Sequence, residues 1–86
     1  MPEISRFYGI VIKMFYDDHA PAHFHAEYAE FEALVDISRL GVFAGSLPPR
    51  ALGMVIEWTS LHREELLSQW ETMRNQGPFR KIPPLP

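Results

Sequence analysis

His23-Phe24-His25-Ala26-Glu27-Tyr28 and, two residues later, Phe31-Glu32-Ala33-Leu34-Val35-Asp36-Ile37 decide the fold class. Both runs alternate with period 2. Phe24, Ala26 and Tyr28 therefore share one face of a strand, and His23, His25 and Glu27 share the other. In the second run Phe31, Ala33, Val35 and Ile37 face inward. Pairing the runs as a hairpin about Ala29-Glu30 sets Phe24 opposite Val35, Ala26 opposite Ala33 and His23 opposite Asp36. That register joins apolar to apolar and polar to polar, as a half-buried antiparallel sheet requires. The turn itself argues the other way, since Ala-Glu lacks the Gly or Asn of primed turns.

Upstream, Phe7-Tyr8-Gly9-Ile10-Val11-Ile12-Lys13-Met14-Phe15-Tyr16 is rich in β-branched and aromatic residues. It reads as a strand over 7–16 whose apolar face carries Tyr8, Ile10, Ile12, Met14 and Tyr16. The hairpin strands then occupy 22–29 and 31–37, and Leu40 to Ala44 offers a short fourth strand. From Pro48 the period changes to 3.6. Ser46 or Leu47 caps, Pro48 and Pro49 suit a first helical turn, and Gly77-Pro78 ends the pattern. Leu52, Val55, Thr59, His62, Leu66, Trp70 and Met73 form its stripe, widened by Ala51, Ile56, Trp58 and Leu67. A helix over 48–75 is about 40 Å long at 1.5 Å per residue, more than the small sheet needs. Either its end projects, or it bends near Thr59-Ser60, where Ser60 could cap a second segment. An extended segment over 78–86 can tuck Phe79, Ile82 and Leu85 against the domain. The expected architecture is one α+β domain over 1–86. In it a three- to four-stranded antiparallel sheet packs on one long C-terminal helix, continuous or kinked near Ser60.

The composition is globular: 47% of the 86 residues are hydrophobic and 13% aromatic, too apolar for a disordered chain. With no cysteine, disulfides and thiolate metal or redox sites are excluded, so any metal must be held by His, Asp or Glu. The net charge of −3 disfavours broad electrostatic capture of nucleic acid. The start of the chain lacks a basic region followed by a long apolar stretch, and no run is long enough for a bilayer. A cytoplasmic location without a membrane partner is the expectation.

Three of the four histidines fall in Asp17-Asp18-His19-Ala20-Pro21-Ala22-His23-Phe24-His25. Imidazole is the commonest metal ligand and titrates near neutral pH. His23 and His25, two apart on a strand, project on one side. His19 from the turn can close a three-histidine set, with Asp17, Asp18 or Asp36 as an oxygen ligand or outer partner. Three ligands with an open fourth position is the pattern of catalytic zinc, and imidazole equally suits nickel. A metal-free alternative is RNA cleavage. There His19 with His23 or His25 would act as general acid and base, Arg6, Lys13 or Arg39 would steady a phosphate, and Tyr16 or Tyr28 would stack a base. Against it, Glu27 faces Glu32 on the histidine face, repelling an anionic substrate and attracting a cation. The plainest alternative is that these histidines only organise the Asp17–Ala22 turn, leaving a structural or interaction module.

Ile4-Ser5-Arg6-Phe7-Tyr8-Gly9-Ile10, Asp18 to Tyr28, Glu32-Ala33-Leu34-Val35-Asp36-Ile37, Leu47 to Leu52, and Trp58 to Trp70 together resemble a bacterial family catalogued as domain of unknown function 4160. Members usually carry a second proline where this chain has Ala22. The resemblance implies no activity. It implies a bacterial protein of a toxin–antitoxin-like two-gene module, acting on a protein partner encoded nearby. Separately, if the long helix overhangs the sheet, its unpaired apolar stripe predicts a homodimer or heterodimer through Trp70 and Met73.

Overall fold

The computed structural model describes residues 2–86. Five strands follow one another in a single antiparallel sheet: β1 (Glu3–Phe7), β2 (Ile10–Lys13), β3 (His23–Tyr28), β4 (Phe31–Asp36) and β5 (Gly41–Gly45). Two helices come next, α1 (Pro49–Leu61) and α2 (Arg63–Arg74). This corrects the expected three- to four-stranded sheet with one long helix on both counts.

The run expected as one strand over 7–16 is folded at Tyr8-Gly9. Tyr8 has φ +50° and Gly9 φ +81°. Two adjacent positive φ values give the twist that a two-residue hairpin needs, and glycine takes the second without a Cβ penalty. Tyr8, expected on the apolar face, is 61% exposed. β1 and β2 then pair Phe7 with Ile10, and Ile4, Phe7, Ile10 and Ile12 are all buried. The β3–β4 ladder has the register read from the alternation, with Phe24 opposite Val35, Ala26 opposite Ala33 and His23 opposite Asp36. Its Ala-Glu turn closes with Ala29 at φ +52°. Core burial on both strands outweighs this local cost, since each fully buried large side chain contributes about 1.5–3 kcal/mol.

The single helix expected over 48–75 breaks at His62, whose φ of −121° and ψ of 23° leave the helical region. Its N–H is shared between Trp58 O and Thr59 O, at 3.1 and 3.2 Å. A ring N–H donates to Glu65 in the first turn of α2, Nδ1 to Oε1 at 2.5 Å, where a carboxylate also suits the helix dipole. Ser60 caps nothing, because its hydroxyl donates back to Glu57 O at 2.8 Å. The Arg63 guanidinium donates to Ser38 O, tying the start of α2 to the β4–β5 connection.

The break lets each helix present a tryptophan to the sheet. Trp58 of α1 is fully buried, 5.4 Å from the Phe7 ring and 5.7 Å from the Phe24 ring. Its indole N–H donates to Pro83 O at 2.8 Å, the partner a buried indole requires. Ile82 N–H donates to Ile4 O at 2.8 Å, so segment 78–86 runs against β1. Ile82 and Leu85 join the core while Phe79 stays exposed. Among the described residues only Ser5 Oγ is a buried side-chain polar atom without a partner. Among the described residues no helix is long and apolar enough to cross a membrane.

Two glycines separate a strained position from a free one. Gly45 has φ +74°, and a Cβ there would stand 2.1 Å from Glu32 O across the ladder, whereas nothing lies within 4 Å of a Cβ on Gly53 in α1. Gly45→Ala should lower stability by roughly 2 kcal/mol or more. Gly53→Ala should raise it by about 1 kcal/mol. The two urea midpoints are expected to move in opposite directions.

Candidate metal centre

Asp18 lies in the turn between β2 and β3, and His23 and His25 lie at the start of β3. Strand alternation sends both imidazoles to the face opposite Phe24 and Ala26, with ring centres 5.5 Å apart. They converge on one carboxylate oxygen: Asp18 Oδ2 is 3.3 Å from His23 Nε2 and 3.0 Å from His25 Nε2. A ligand atom from each of the three residues lies within 4.8 Å of the others. Among the described residues this is the group of three or more such side chains close enough to hold one metal ion.

The other ring nitrogens are also engaged. His23 Nδ1 is 2.7 Å from Pro21 O, and His25 Nδ1 is 3.2 Å from Glu32 Oε2. A carbonyl oxygen only accepts, so His23 Nδ1 carries the proton, and the neutral ring turns a lone pair at Nε2 toward Asp18. His25 stands between two carboxylates, yet neutral imidazole has one N–H to give. Acceptors outnumber donors at this point. A positive species between the two Nε2 atoms and Asp18 Oδ2 resolves the excess, whether protons or a metal ion.

The walls are aromatic. Phe15 stands edge-on to His25 at 4.6 Å, Phe43 edge-on to His23 at 5.3 Å, and Trp70 of α2 lies 5.2 Å from the His23 ring. His23 is thereby buried, while His25 and Asp18 keep partial access to solvent. Such packing holds the ring planes in place and lowers the local dielectric around the donor atoms.

The nominated residues divide sharply. His23, His25 and Asp18 come together, whereas His19 and Asp17 are exposed in the turn and stand outside the group. Asp36 is buried opposite His23, but its Oδ1 accepts the Arg39 N–H at 3.0 Å and serves the turn after β4. Glu32 was not nominated. Because His25 pairs with Leu34, Glu32 is its diagonal neighbour, within reach of a long side chain, so the register itself carried that signal.

Two of the cations nominated for a phosphate are engaged elsewhere. Lys13 binds both Glu27 oxygens at 3.0 and 3.1 Å. Arg6 grips Glu3 at 2.8 and 3.1 Å, a hydrogen-bonded pairing that holds the Glu3 carboxyl below its ordinary range. A groove of about 230 Å³ between α2 and segment 78–86 is lined by Glu65, Gln69, Arg80, Lys81 and Ile82 and contains none of the three cluster residues.

A family model described as "Domain of unknown function (DUF4160)" matches residues 9–71, more than half of the chain, and the chain belongs to that family. The match spans β2 to β5, all of α1 and most of α2. Comparison with curated proteins and with solved structures finds no match.

The tautomer assignment can be checked directly. Long-range ¹H–¹⁵N spectra should show neutral His23 protonated at Nδ1, with Nε2 unprotonated. A neutral ring protonated at Nε2 would contradict the Pro21 contact.

Proposed function

We propose that this family member is a divalent-metal protein, holding one zinc or nickel ion through His23 Nε2, His25 Nε2 and the Asp18 carboxylate. The observation that carries the proposal is the convergence of His23 Nε2, His25 Nε2 and an Asp18 carboxylate oxygen on one point. The chemistry of the set fits the ion. Two imidazoles and a carboxylate suit a borderline transition metal, and three protein ligands leave a position for water or another small ligand. Bound there, such an ion would supply Lewis acidity and a more acidic water.

The chain's own residues contribute orientation. Pro21 O keeps the His23 proton on Nδ1, so Nε2 is the nitrogen presented to an ion. Trp70 and Phe43 pack on the same ring and limit its rotation. Asp18 supplies the negative charge that a divalent cation needs beside two neutral ligands. The acidic neighbours Glu27 and Glu32 favour a cation over an anionic substrate on this face.

The partner implied by the family resemblance belongs to the same proposal: a protein encoded nearby, in a toxin–antitoxin-like pair. Its support is that resemblance alone. Light scattering on the co-expressed pair reads it, and a chain that elutes alone as a monomer ends it.

For the metal, freshly purified protein should carry close to one equivalent by elemental analysis, or take up one in a zinc or nickel titration. Asp18→Asn and His25→Ala should weaken binding by more than about 100-fold, beyond the cost of losing an outer partner. His19→Ala should leave affinity unchanged. Absence of uptake by the wild type, or equal uptake by Asp18→Asn, would overturn the proposal.

A further inference from the structure

We infer that Glu32 is a positioning residue for this centre: it holds the His25 proton on Nδ1 and thereby presents Nε2 to the metal. The inference rests on the metal reading above and adds a residue outside the ligand set.

The geometry is specific. Glu32 Oε2 lies 3.2 Å from His25 Nδ1, while His25 Nε2 lies 3.0 Å from Asp18 Oδ2 on the other side of the ring. Glu32 is thus across the imidazole from the ligand atoms and acts through His25. A metal-bound histidine commonly donates its second N–H to a carboxylate or carbonyl, which fixes the tautomer and strengthens the ligand. Both forms occur here: His23 uses the Pro21 carbonyl and His25 uses the Glu32 carboxylate.

The surrounding charges explain why Glu32 is available. It sits directly opposite Glu27 in the β3–β4 ladder, a like-charge pairing that is unfavourable by itself. Lys13, across from His25 on β2, draws both Glu27 oxygens to itself. Glu32 makes no ion pair with Lys or Arg among the described residues, and the His25 ring is its partner. Glu32 thus stands beside another carboxylate with its ion-pair contact directed at a ring nitrogen.

Glu32 is 52% exposed in its side chain, so substitutions there should leave the core intact. Zinc titration and long-range ¹H–¹⁵N spectra of the full chain test the role, with urea midpoints confirming equal folding. Glu32→Ala should weaken zinc binding about 10- to 100-fold, the usual cost of an outer-shell loss, and shift apo His25 toward a mixture of neutral tautomers. Glu32→Gln should recover much of both, because its carboxamide oxygen still accepts from Nδ1. Glu57→Gln, an exposed carboxylate of α1 outside the cluster, should change neither.

If the wild type takes up zinc and Glu32→Ala binds it equally well, the positioning role is overturned and the metal reading stands. Weaker binding with an unchanged His25 tautomer also overturns it, leaving a general electrostatic effect. If the wild type takes up neither zinc nor nickel, both readings fall.

Discussion

The burial of Phe24 and Ala26 beneath the helices is the constraint on which the rest of the structure depends. A strand has two faces, so seating these residues against Val35, Ala33 and the Trp58 ring sends His23 and His25 together to the other side. A slip of one residue would bring the imidazoles under the tryptophan and expose the phenylalanine. The core thus sets the spacing of the polar cluster, and Trp70 of that core packs against the His23 ring. Trp58 completes the lock from above, and its indole hydrogen bond fastens segment 78–86 to the same position.

The cluster occupies a balance between attraction and desolvation. A buried polar group without a partner costs about 1–3 kcal/mol, and more where charge is left uncompensated. His23 meets this at Nδ1 through a fixed carbonyl and leaves Nε2 to whatever positive species joins Asp18. His25 has a carboxylate at each end. The turn that carries Asp18 needs no regular structure, because the contacts with two rigid imidazoles give its side chain a defined position.

What could be read from residue types follows from how far each signal reaches. β3 and β4 were legible because clean alternation over both runs fixes faces and register together. The fold at Tyr8-Gly9 was hidden by its neighbours: aromatic and β-branched residues on both sides read as an unbroken strand, though a glycine inside it marks a turn. β1 went unseen because Ile4 and Phe7 do not alternate simply, and the ladder is irregular between Glu3 and Ser5. The helical stripe passed through His62 without a Gly or Pro to mark the break. That interruption comes from backbone geometry and a local contact to Glu65, which hydrophobic period does not report. At the site, His23 and His25 followed from strand spacing. The choice of Asp18 over His19 depended on the path of an irregular turn, where period carries no information.

The sheet also has two unlike margins. Segment 78–86 lies along β1 and occupies Ile4 O, whereas β5 has a neighbour only on its β4 side, with Phe43 48% exposed beside its uncharged backbone. Strand addition to such a sheet is self-limiting. One incoming ribbon exhausts the free margin, and two molecules joined through it about a twofold axis would have none left, giving a closed pair where a sheet open on both sides could seed a fibre.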